Sequence, residues 1–139
     1  NVQALAEITE PDSAPPAKGL RVLCIDNEDS ILVGMDSLLS RWGMQVWTAR
    51  NQLECEHLLD EGVNPQLVLV DYHLDEGETG TGLMSWLRQR LGDQLPGVVI
   101  SADARTELIA QVQAAGLDYL AKPVKPAALR ALLNRYPAD

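Results

Sequence analysis

The chain has 139 residues, 46% of them hydrophobic and 22% charged, which reads as an ordinary globular chain rather than a disordered one and leaves room for one domain with a sizeable core. Its 20 acids against 11 bases give a net charge of −9, and no basic stripe or aromatic stacking platform offsets that sign, so direct nucleic-acid binding is not expected. No apolar stretch reaches the roughly 18–20 residues that span a bilayer, and no signal-peptide pattern opens the chain, so direct membrane contact is not expected either.

Residues 1–19 are rich in Ala and Pro, which predicts an extended, semi-rigid linker. From residue 20 strand and helix signals alternate. A strand at 21–25 leads to a helix at about 29–42, where Ile31, Met35, Leu38, Leu39 and Trp42 mark a core face and Gly43 a left-handed C-cap. A strand at 45–49 precedes a helix capped by Asn51, with Glu54 placed for a capping box. The third strand, 67–71, opens into a Gly-rich loop (72–81) and a helix at 82–91. A strand at 97–101 and a helix at 104–115 follow, the latter with Leu108, Ile109, Val112 and Ala115 on one side. A last strand at 118–121, Lys122-Pro123 and a helix at 126–135 opened by Pro126 complete the pattern. Five such βα units with short connections predict a parallel sheet covered on both faces, in three layers.

Continuous apolar runs are what doubly covered parallel strands look like. Four of them end on, or next to, a polar residue: Asp26-Asn27-Glu28, Asp71, Ser101 and Lys122. Ligands bind outside the carboxyl ends of such strands, so two aspartates, a hydroxyl and an ammonium are expected at one edge. Each has a plainer reading alone: Asp71 or Asp26 as a cap or loop acid, Ser101 as a helix cap, Lys122 as a surface lysine before a turn. Together they suit another chemistry. Paired carboxylates raise each other's proton affinity unless a cation compensates, and oxygen donors suit Mg²⁺. An ammonium and a hydroxyl beside a nucleophilic carboxylate can neutralise and bind the oxygens of a phosphoryl group.

Asp26, Asp71, Ser101 and Lys122-Pro123, in this order and 45, 30 and 21 positions apart, resemble the receiver domain of two-component response regulators over about residues 20–136. The resemblance implies a flavodoxin-like sheet of strand order 2-1-3-4-5. It implies that Asp71 takes a phosphoryl group from a phosphohistidine donor, a histidine kinase or phosphotransfer domain. Mg²⁺ would be held by Asp26, Asp71 and the main-chain carbonyl of His73. Ser101 would be the switch hydroxyl, Lys122 the lysine usually followed by a cis proline bond, and Tyr119 the aromatic that changes rotamer. Hydrogen bonds to charged groups contribute about 1.5–3 kcal/mol each, so Ser101 and Lys122 together approach the ~5.5 kcal/mol that inverts a two-state equilibrium.

Two departures stand out. The second acid of the usual pair is Asn27, which predicts weaker Mg²⁺ binding that Asn27→Asp should tighten. The loop after Asp71 lacks the family's proline and is longer, so it is expected to be mobile or shaped for one partner. Two other classes stay open: a receiver-like interaction module that is never phosphorylated, favoured by Asn27, and an aspartyl-phosphate hydrolase, which usually carries an acid where His73 stands. The linker ahead of the domain, the absence of a segment beyond the 137–139 tail and the initial Asn lead us to expect the C-terminal receiver of a hybrid sensor histidine kinase. Cys24 and Cys55 are expected as reduced thiols, and the domain as cytoplasmic, compatible with a membrane-anchored parent. His57 among Glu54, Glu56 and Glu61 is expected on a solvated face. Gly77, Gly80 and Gly82 lack the spacing of a nucleotide loop.

Overall fold

The computed structural model describes residues 19–136, so the predicted linker, but for Gly19, and the tail lie outside the described residues. Five strands, β1 (Arg21–Ile25), β2 (Gln45–Ala49), β3 (Leu67–Asp71), β4 (Gly97–Ser101) and β5 (Asp118–Ala121), pair in parallel in the order β2-β1-β3-β4-β5. Five helices connect and cover them: α1 (Asp29–Arg41), α2 (Gln52–Asp60), α3 (Gly80–Leu91), α4 (Thr106–Ala114) and α5 (Pro126–Leu133).

The absence of period-2 alternation in β1, β3 and β4 has a direct cause: these inner strands are buried on both faces, whereas the edge strands β2 and β5 are partly exposed. Val22, Cys24, Leu67, Leu69, Val98 and Ile100 pack with α1 and α5 through Leu32, Leu39, Leu129 and Leu133. Their neighbours Leu23, Ile25, Val68, Val70 and Val99 pack with α2, α3 and α4 through Cys55, Leu83, Leu87, Leu108 and Val112. The result is the flavodoxin-like doubly wound sandwich that the sequence predicts.

Local signals are realised with small shifts. Gly43 adopts φ 89°, where its N–H bonds the Ser40 carbonyl at 3.0 Å, and the chain turns straight into β2. The Asn51 side chain accepts from the Glu54 N–H at 2.9 Å, but Glu54 reaches one residue past the expected box, to the Arg50 N–H at 2.8 Å and its guanidinium. The buried stripe of α1 is Leu32, Met35 and Leu39, not one that includes Ile31, which remains 37% exposed. The helix is rotated so that Leu32 points down onto the sheet and Ile31 flanks a groove. Helix α4 begins at Thr106 rather than 104 and buries only Leu108 and Val112. His57 is exposed, as expected, and Cys24 and Cys55 are free, buried thiols. Burial first, then nearby acids, push each thiol up to about 12. Among the described residues no helix is long and apolar enough to cross a membrane.

Candidate functional site at the carboxyl edge of the sheet

Strand register assembles the site. Ile25 lies opposite Val70, which sets Asp26 level with Asp71; Asp71 lies opposite Ile100; and Ser101 lies opposite Ala121, one residue short of Lys122. Neighbouring strands sit about 4.8 Å apart, so residues nearly a hundred positions distant become neighbours. The Lys122 Nζ lies 2.9 Å from Asp71 Oδ1 and 3.2 Å from Asp26 Oδ2. Asp26, Asp71 and Ser101 are buried. Asp26 uses its other oxygen to accept the Glu28 N–H at 2.9 Å, so the carboxylate both opens the α1 end and faces the site. Among the described residues no buried side-chain polar atom lacks a partner.

Burial pushes the Asp71 carboxyl above the ordinary carboxylate range; the hydrogen bond from Lys122 opposes this, and the Asp26 charge adds to it. For Lys122, burial pulls the ammonium down, but the hydrogen bond to Asp71 and the two carboxylate charges outweigh it, and the net shift is upward. Two carboxyl groups share one ammonium in this cluster, so acids outnumber bases there. Such a site draws cations.

Ser101 Oγ accepts the Asp103 N–H at 3.0 Å, the local turn that its plainer reading anticipates, while the residue also ends β4 beside Lys122, whose N–H donates to the Ser101 carbonyl at 3.0 Å. The Tyr119 hydroxyl donates to the carbonyls of Asp103 at 2.7 Å and Ser101 at 3.1 Å, tying β5 to the loop after β4. Burial, then the Asp103 charge, raise the Tyr119 phenol, so it stays a donor. The Lys122-Pro123 bond is cis.

The loop after Asp71 is closed by hydrogen bonds. His73 bridges Thr79, the Leu74 N–H bonds Glu78 O at 3.0 Å, and Asp75–Gly77 form a single 3₁₀ turn. The His73 side chain is exposed. Helix α3 starts two residues earlier than expected because Thr79 caps it, accepting the Gly82 N–H. Sequence reasoning passed over two residues here. Gly80 packs so closely that a Cβ would lie 2.6 Å from the Asp71 carbonyl oxygen. Asp75 accepts the Asn27 side-chain Nδ2–H at 2.9 Å. The cluster of glycines was a signal for the first; nothing in the sequence signalled the second.

The oxygen donors that the structure brings together at this edge are the carboxylates of Asp26 and Asp71. Two carboxylate oxygens already converge on one ammonium at hydrogen-bond range, and the donor chemistry fits Mg²⁺. Among the described residues no three His, Cys, Asp or Glu gather into a metal cluster, so such an ion would rest on few carboxylates and keep several waters. Beside Asp26 and Lys122 opens a groove of about 540 Å³, flanked by Ile31, Met35 and Leu38 of α1 and by Val124.

The sequence matches the response regulator receiver domain family over residues 22–134. The chain belongs to that family. It is 28% identical over 126 residues to the sensor histidine kinase GacS of Pseudomonas protegens, a match covering 84% of this chain and 13% of that protein. This receiver domain therefore spans about an eighth of that kinase's length. Its fold superimposes on a response regulator receiver protein from Pseudomonas putida (TM-score 0.74, 26% identity, 86% of this chain and 98% of that one). It also superimposes on the Vibrio cholerae chemotaxis protein CheY4 (TM-score 0.76, 22% identity, 85% and 98%).

Proposed function

We propose that this receiver accepts a phosphoryl group from a phosphohistidine donor onto the Asp71 carboxylate. The observation that carries the reading is the Lys122 ammonium bridging Asp71 and Asp26 at the sheet edge. An Asp71 oxygen attacks phosphorus, the N–P bond to the donor imidazole breaks, and that nitrogen keeps the bonding pair. Asp71 enters as a carboxylate and leaves as an acyl phosphate, so the site must stabilise phosphoryl oxygens held beside the remaining buried acid, Asp26. Lys122 can follow the transferred oxygens from its present position, since it already donates to Asp71. Bound Mg²⁺ would neutralise charge on the same oxygens, held by Asp26, Asp71, the His73 carbonyl and Asn27.

The Ser101 hydroxyl, at the end of the adjacent strand, is the group that would close on the phosphoryl oxygens. Its movement would be felt at Tyr119, because the phenol bonds both the Ser101 and Asp103 carbonyls. The groove flanked by Ile31 and Val124 would give a donor helix an apolar surface beside Asp26 and Lys122. The match to a segment of a sensor histidine kinase supports a receiver joined to a kinase core in one chain, with residues 1–19 as connector and a cytoplasmic location. A histidine two positions beyond Asp71, where aspartyl-phosphate hydrolases carry an acid, weighs against that class.

Beryllium trifluoride with Mg²⁺ mimics the acyl phosphate and tests the switch without a donor. In ¹H–¹⁵N spectra we expect the amides of Ser101–Asp103 and Tyr119 to shift, and none of them to shift in Asp71→Asn. Shifts confined to residues 71–73 would reject Ser101 and Tyr119 as moving parts. No shift anywhere would favour an interaction module that is not phosphorylated.

A further inference from the structure

We infer that Asp75 acts as the second acid of the cation site, through Asn27. The inference rests on the receiver reading and on one contact: Asn27 Nδ2 donates to Asp75 Oδ1 at 2.9 Å across 48 positions of sequence. Asn27 follows Asp26 at the end of β1, where a carboxylate would add a third negative charge. An amide has two poles, and only its oxygen can face a hard cation. With Nδ2 committed to Asp75, Oδ1 is the pole left for the site. The missing charge is present too, displaced outward by one hydrogen bond. Carboxylates that orient a metal's direct ligands in this way are strong contributors, and removing them costs about 10–100-fold in affinity.

The loop after Asp71 supplies the carboxylate. The 3₁₀ turn at Asp75–Gly77, closed by the Glu78 N–H on the Asp75 carbonyl at 3.1 Å, sets Asp75 over the end of β1. The loop after β3 thus brings a carboxylate to the end of β1, where residue 27 is an amide. Asp75 is exposed, so its role is positioning and charge, not direct ligation.

Calorimetric titration of Mg²⁺ tests this, with thermal melts in EDTA to check folding. Wild type should bind Mg²⁺, and Asp71→Asn should lose it, which secures the site itself. Asp75→Asn should bind about tenfold more weakly, at the low end of the range for outer-shell partners because Asp75 is exposed, with an unchanged melt. The exchange Asn27→Asp/Asp75→Asn, which restores both charge and hydrogen bond in reverse, should recover wild-type affinity or better. Wild-type affinity in Asp75→Asn, with Asp71→Asn dead, overturns the inference and leaves the receiver reading intact. An exchange as weak as Asp75→Asn overturns the pairing. Absence of Mg²⁺ binding in wild type overturns both.

Discussion

Lys122→Ala should destabilise the domain by about 3 kcal/mol in EDTA, one of the larger single losses available to it. Removing one partner of a buried ion pair costs about 3–5 kcal/mol, because the charge left behind has neither water nor counterion. Here one ammonium serves two buried carboxylates, at 2.9 and 3.2 Å; its side chain is 21% exposed, which places the effect at the low end. The loss should shrink when Asp71 is also Asn, since only Asp26 is then uncompensated. Asp71→Asn alone should melt a few degrees above wild type in EDTA. The sign follows from burial, which raises the Asp71 pKa on folding, so that its ionised form costs stability above that pKa. Both differences should narrow as pH falls through the raised pKa and Asp71 takes up a proton. Denaturant unfolding of the four proteins provides the cycle. Equal losses from Lys122→Ala with and without Asp71→Asn would mean that the two side chains do not interact.

Gly80→Ala should cost about 2–3 kcal/mol and slow phosphoryl uptake by as much as about a hundredfold. A Cβ there would meet the Asp71 carbonyl oxygen at 2.6 Å, its carbon at 3.1 Å and the Tyr72 Cα at 3.2 Å, all main-chain atoms. Overpacking of this kind costs about 1–3 kcal/mol, and the strain lands on the residue that bears the reacting carboxylate. A displacement of about 1 Å at a reacting group is enough for a loss of about 10²-fold. Gly82→Ala, two residues on, makes the contrast: its Cβ would meet only the Thr79 hydroxyl that caps the helix, at 3.1 Å, so any strain falls on the cap and not on Asp71. Chemical denaturation and the rate of acetyl phosphate uptake read both effects. A Gly80→Ala protein as stable and as fast as Gly82→Ala would show that α3 does not fix Asp71.

The sheet was legible because strands buried on both faces cannot alternate: Leu67-Val68-Leu69-Val70 has no polar side to present, and Asp71 marks where the cover ends. Strand ends that share a register then bring Asp26, Asp71, Ser101 and Lys122 together whatever the loops do. Helix faces were legible to within one residue. Ile31 and Leu32 are adjacent apolar residues on α1, and only packing decides which of them meets the sheet. Loops were the hard part. The Asn27–Asp75 contact depends on a turn closed by main-chain hydrogen bonds, which composition does not encode. Gly80 looked like part of a flexible glycine-rich segment, yet its lack of a Cβ serves a close approach of helix to strand.

The most direct measurement is intact mass after incubation with acetyl phosphate and Mg²⁺. The domain should gain a single phosphoryl group, labile at alkaline pH as acyl phosphates are, with none gained in EDTA or in Asp71→Asn. A wild-type domain that stays unmodified, or an adduct that persists in Asp71→Asn, would contradict the role given to the Asp71 carboxylate.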